Sequence, residues 1–188
     1  MSAYEVQWSV RGIMRRMLPV LVVLTSIELG SGLVLDTFES TLLQYPTLLV
    51  LVPVTIGMAG NLGSILAARL STAVHLGIVS FEPTDDRLAG NALATVALAL
   101  TVFPLVGAGA WALQALLGAV RLPFLTVVVV ATTSGVVLAA LAVVVTTATA
   151  YAAYRFELDP DDVVIPVVTN VCDVLGVLVL FGAVRVLV

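Results

Sequence analysis

Between Arg121 and Arg155 the chain carries no charged side chain. A helix on the surface of a water-soluble domain needs a polar face, and this run has none. It is also longer than the ~20 apolar residues that cross a bilayer as a helix. From Met17 to Leu35 the only charge is Glu28. The same criterion applied along the chain gives five spans, at roughly 17–36, 43–70, 91–117, 122–154 and 163–187. The second and fourth exceed the length a span requires, which leaves room for tilt, a break, or continuation beyond the interface. The alternating pattern of a membrane β-barrel is absent. No small-residue cleavage site follows the first apolar run, so it is expected to be a retained helix, not a signal peptide.

The expected fold class is therefore an all-α integral membrane protein, one membrane domain over 1–188, multi-pass in the cell membrane. Residues 1–16 are expected to form a short interfacial segment with Trp8 and Arg11 at the headgroups. Composition agrees: 11% of residues are charged, against about a quarter in soluble domains. All eight basic residues are arginine. With the N-terminus in the cytoplasm, Arg11, Arg15, Arg16, Arg69, Arg87 and Arg155 fall inside, and Arg121 and Arg185 outside. Excess basic residues mark cytoplasmic loops, so an N-in, C-out topology is expected. There is no basic patch for nucleic acid. The lone Cys172 excludes an intrachain disulfide and a cysteine-cluster metal site, and is expected to pack as a small apolar residue.

Two spans carry residues that an apolar helix should avoid. In "PVTIGMAGNLGSILAARLS" (53–71), Pro53, Gly57, Gly60 or Asn61, Ser64, Ala68 and Ser71 recur at steps of three and four, so they share one helical stripe. Small residues let another helix approach closely. Packing explains the glycines but not Asn61, whose amide needs partners in hydrocarbon, nor Pro53, which removes a backbone donor. A broken or kinked helix lining an ion path explains all of them, because irregular polar backbone is tolerated where it meets protein or water.

In "DPDDVVIPVVTNVCDVLG" (159–176), Asp173 lies well inside the last apolar run. A charge at mid-bilayer costs ~2.5–3.5 kcal/mol on insertion scales, and such residues face a bundle interior or a water-filled cavity. Pro166, Thr169 or Asn170, Asp173 and Gly176 share its face. Oxygen ligands with a carboxylate suit a hard cation such as Mg²⁺; the alternative is a protonated Asp173 hydrogen-bonded to a neighbouring helix. Glu28 is the third intramembrane acid, with three open roles: coupling site, second ligand, or neutral structural acid. His75 has no partner at metal-ligand spacing and is expected at the interface. The hydroxyl-rich patches 132–134 and 146–149 are expected to bond back to their own helix. No catalytic motif is present, so no enzyme activity and no cofactor are expected.

These segments also carry a resemblance. "PVTIGMAGNLGSILAARLSTAVHLG" (53–77) resembles the signature of the MgtE-type magnesium transporters and the related eukaryotic magnesium solute carriers. The matching residues are Pro53, Gly60-Asn61, Arg69 with the small residues after it, and Gly77. In the last span Asp159-Pro160, Pro166, Thr169, Asp173 and Gly176 resemble the family's final span. Phe38-Glu39 resembles the F-E at the end of its first. The resemblance implies a homodimer whose pore lies between the second and fifth spans of two protomers, with Asp173 as the pore carboxylate holding hydrated Mg²⁺. Ile65 stands where the bacterial motif has glutamine, and the family pattern places no acid at Glu28. Gating by a soluble sensor domain is not carried over, and a separate soluble regulatory subunit has no sequence signature.

The leading expectation is transport of divalent cations, Mg²⁺ first, as the cargo of a homodimer. Asp173, Asn61, Thr169, Asn170, Gly60 and Glu28 are the candidate ion-path residues, with Asp36 and Glu39 gathering cations at the outer mouth. Two alternatives stay open: a Na⁺- or H⁺-coupled exporter using Glu28, and a structural membrane subunit that transports nothing.

Overall fold

The computed structural model describes residues 10–78, 81–82 and 85–188. Six helices follow one another: α1 Val10–Thr37, α2 Glu39–Gln44, α3 Pro46–His75, α4 Asp86–Leu116, α5 Phe124–Arg155 and α6 Pro160–Leu187. All but the short α2 are long and apolar enough to cross a membrane, which gives the five spans expected from the sequence.

The helix ends follow from local chemistry. Pro46 and Pro160 open α3 and α6, where a missing N–H costs nothing. The Asp85 carboxylate accepts from the backbone N–H groups of Arg87 and Leu88 and caps α4. At the other ends, Gly77 (φ 63°) and Gly118 (φ 68°) take the left-handed conformation, which glycine adopts without steric cost. Each lets the next residue reach back: Ile78 N–H to Ala73 O and Ala119 N–H to Gln114 O, both 3.0 Å. This pattern satisfies carbonyls that the helix leaves open. Glu157 closes α5 in the same way at φ 55°, without a glycine's freedom.

Helices α3, α5 and α6 pack against one another and form the centre; α4 lies against α5 and α3. The core holds Leu48, Leu51, Phe103, Val127, Val130, Leu180 and Phe181. Where helices touch most closely, a glycine meets a large side chain or a backbone: Gly135 faces the Phe103 ring, and Gly107 faces the Val128 backbone. Two bonds tie α4 to its neighbours at one end of the bundle. Trp111 Nε1 donates to Leu122 O at 3.1 Å, and Gln114 Nε2 to Pro46 O at 3.3 Å.

Helix α1 is peripheral. It touches only α6 and α2 among the described residues, and 6% of its spanning window is buried. Just beyond its C-terminal end Phe38 stacks on Phe181 of α6, ring centroids 4.0 Å apart.

Four expectations need correcting or refining. The segment from Val10 to Arg16 is the beginning of α1, not a separate interfacial helix; residues 1–9, with Trp8, lie outside the described residues. The apolar run hid this because arginines at a helix end do not interrupt the helix. Likewise α3 continues past 70 through Ser71, Thr72 and His75. Neither α3 nor α6 is broken: both run continuously through Pro53 and Pro166. Finally, Thr132, Ser134 and Thr149 bond back to carbonyls four residues earlier, whereas the buried hydroxyls of Thr146 and Thr147 have no partner.

Candidate functional site

Gly60, Thr169 and Asp173 meet where α3 and α6 adjoin, and α1 packs on α6. Asp173 sits at the middle of α6, and Gly60 at the middle of α3. A Cβ on Gly60 would lie 2.5 Å from Asp173 Oδ1 and 3.3 Å from Thr169 Cγ2. The Asp173 carboxyl therefore rests on the α3 backbone, in space that only glycine leaves open. The same helix pair closes above and below it. A Cβ on Gly63 would come 2.6 Å from Val168 Cγ1 and 3.0 Å from the buried Cys172 Sγ; one on Gly176 would come 3.2 Å from Ile56 Cα. Cys172 thus has the packing role expected of it.

Within this contact Asp173 Oδ1 is buried without a hydrogen-bond partner. That is costly for a polar atom, and it marks the place where a cation or its water would be stabilised. Thr169 and Asn170 lie one turn away. Each bonds back to its own helix: Thr169 Oγ1 donates to Ile165 O at 2.9 Å, and one N–H of Asn170 Nδ2 to Pro166 O at 2.8 Å. Acceptor capacity remains on Thr169 Oγ1 and Asn170 Oδ1, and Asn170 keeps the second N–H of its amide.

The small-residue stripe of α3 divides in two. Gly60 and Ser71 are buried, and Gly60 is covered by α6 of the same chain. Pro53, Gly57, Asn61 and Ala68 are exposed, and Ser64 is half-buried. Gly57 has nothing within 4 Å of where a Cβ would stand. The Asn61 side chain makes no hydrogen bond with a described residue, although it projects from the middle of an apolar span. The Ser64 hydroxyl donates to the Asn61 backbone carbonyl at 3.1 Å. So one face of α3 serves packing inside the chain, and the adjacent face carries a bare amide outward.

Glu28 stands near the middle of the span in α1 and is half-buried. It lies close enough to Asp173 for the two carboxylates to interact. Sequence reasoning named both residues but not their proximity. The signal for it was depth alone, since each falls near the midpoint of its span. The arginines nearest in sequence stand toward the helix ends, so this level of the bundle holds two acids and an amide with no compensating base. Among the described residues no three acidic, histidine or cysteine side chains converge as a metal cage. Asp36 and Glu39 are exposed at the far end of α1 and the start of α2, away from Asp173. His75 closes α3, its Nδ1 3.0 Å from Ser71 O. The buried hydroxyls of Thr47 and Thr55 on α3, also unpartnered, were missed, because a threonine in an apolar run carries no pattern of its own.

The family model for MgtE, described as a divalent cation transporter, matches residues 52–183. The matched stretch holds Gly60, Asn61, Thr169, Asn170 and Asp173. Glu28 and Glu39 stand before it.

Proposed function

The chain belongs to the MgtE family of divalent cation transporters, and from that premise we propose that it conducts hydrated Mg²⁺ past Asp173 at the axis of a homodimer. The observation that carries this reading is the Asp173 Oδ1 atom, buried at mid-span against Gly60 with no partner of its own. A carboxylate so placed is stabilised by a cation that arrives there, and by little else nearby. Mg²⁺ dehydrates reluctantly and keeps several waters, taking one or two carboxylates directly or through water. The described residues of a single chain offer no cage of three acidic, histidine or cysteine ligands, which suits an ion that keeps its water shell. Thr169 and Asn170 offer acceptors for those waters. Asn61 offers an amide from the exposed face of α3.

A second copy fits the same face. Gly57, Asn61, Ser64 and Ala68 point out of the single chain, and small residues with an amide are poor lipid-facing choices but good helix–helix contacts. Two-fold symmetry would double Asp173 and Asn61 around one axis. The Asn61 faces would meet there, while Gly60 stays behind, backing Asp173 inside each protomer. In this reading the protein lies multi-pass in the cell membrane with its N-terminus in the cytoplasm, and Asp36 and Glu39 collect cations at the outer mouth.

Flux in proteoliposomes tests it. Asp173→Asn keeps the shape and removes the charge. It is expected to insert and dimerise yet lose Mg²⁺ flux; wild-type flux in that variant would remove Asp173 from the path. A second reading is supported by the proximity of Glu28 to Asp173: a Na⁺- or H⁺-coupled exporter, with Glu28 taking the coupling ion. It predicts that flux depends on the gradient of one of those ions.

A further inference from the structure

Arg69 and Arg87 line one open cleft of about 520 Å³ where α3 ends and α4 begins. Each guanidinium is anchored on one nitrogen. Arg69 Nε donates to Asn91 Oδ1, and Arg87 Nη1 to the Ile78 carbonyl. Asn91 is itself held, donating through Nδ2 to Arg87 O at 2.8 Å. These anchors leave Arg69 both terminal nitrogens, and Arg87 its Nε and Nη2 edge. Among the described residues no acid lines the cleft. The nearby Asp85 carboxylate is turned to the backbone N–H groups of Arg87 and Leu88 as the α4 cap. Leu76 and Ile78 line it too, and both are exposed. Two cationic forks therefore stand beside an apolar rim at the level where the chain leaves the membrane.

We propose that this cleft binds the phosphate of an anionic phospholipid headgroup. Guanidinium and phosphate match as bidentate partners, and basic pockets between spanning helices suit lipid headgroups. The rim selects a lipid over a free anion, because Leu76 and Ile78 give the glycerol and first acyl carbons an apolar surface that inorganic phosphate does not need. A headgroup seated there would clamp the end of α3, the helix that carries Gly60 and Asn61, to the start of α4.

The test uses the full chain, purified and stripped of lipid, in mixed micelles of detergent with phosphatidylglycerol or phosphatidylcholine. Retained lipid is counted by native mass spectrometry, and the unfolding midpoint is read in parallel. Phosphatidylglycerol should be retained in preference and should raise the midpoint. Arg69→Gln and Arg87→Gln should each weaken retention about fivefold, the scale for one basic residue at an anionic surface. Gly90 also lines the cleft and has nothing within 4 Å of where a Cβ would stand. Gly90→Leu should therefore fold, keep both arginines, and block retention by filling the space. Equal retention of the two lipids by the wild type, or unchanged preference in Gly90→Leu and both arginine variants, overturns the site. Inorganic phosphate alone reproducing the midpoint shift overturns the lipid assignment.

Discussion

Gly60→Ala adds one methyl group at the point where α3 supports the Asp173 carboxyl. That carbon would stand 2.5 Å from Oδ1 and 3.3 Å from Thr169 Cγ2, so the oxygen must retreat by about 0.9 Å to reach ordinary contact. Overpacking of this kind costs about 1–3 kcal/mol, and alanine returns roughly 1 kcal/mol through helix propensity. The net loss of stability should be about 0–2 kcal/mol, small enough for the protein to fold. The ion should feel more. At an effective dielectric of about 20, moving one carboxylate from about 4 to about 5 Å from a divalent ion loses roughly 1.7 kcal/mol. The Mg²⁺ concentration for half-maximal flux into proteoliposomes should rise about tenfold or more. Gly63→Ala is the control. Its methyl would strain the same helix pair against Val168 and Cys172, with no carboxylate in the way. It should lower the unfolding midpoint comparably and leave half-saturation unchanged. If Gly60→Ala transports with wild-type affinity, or if Gly63→Ala shifts affinity equally, the carboxyl is not positioned by this contact and the reasoning fails.

Three further outcomes are expected. In a Cys172→Ala background, single cysteines at Asn61 and Ser64 should cross-link two protomers, and cysteines at the buried Leu62 and Leu66 should not; the reverse preference would put another face at the axis. Under the coupled reading, Glu28→Gln should lose whatever pH or Na⁺ dependence wild-type flux shows. A wild type indifferent to both ions would leave Glu28 a structural acid. Asp85→Ala should lower stability by about 0.5–2 kcal/mol through loss of the α4 cap, read as a lower unfolding midpoint with Mg²⁺ affinity unaltered.

Helix number was legible because length without charge is a one-dimensional property. The boundaries were less so. Arg11 and Arg15 marked a polar segment, yet a helix that reaches the interface can carry them without stopping, and α1 does. The Gly77 and Gly118 ends have a clear physical cause, but glycines elsewhere in the same runs serve packing, so glycine alone could not locate an end. Asp173, Glu28 and Asn61 announced themselves by their cost in hydrocarbon. Their arrangement did not, because it depends on which helices become neighbours. The stripe on α3 shows the limit. Steps of three and four put Gly60 and Asn61 together, yet Gly60 faces α6 and Asn61 faces outward. Periodicity assigns a residue to a sector of the helix; it does not say whether that sector meets its own chain, another chain or lipid.

The position of α1 also bears on how the chain is made. Its main neighbour is α6, and roughly 120 residues separate the end of one from the start of the other. At about 5–20 residues per second, the ribosome needs on the order of ten seconds to deliver α6. During that interval α1 must wait in the bilayer with Glu28 unsheltered by Asp173's helix. The first span is thus committed before the surface that receives it exists. A chain stalled before Pro160 should leave α1 loose in the membrane, exposed to quality-control proteases that the finished bundle excludes.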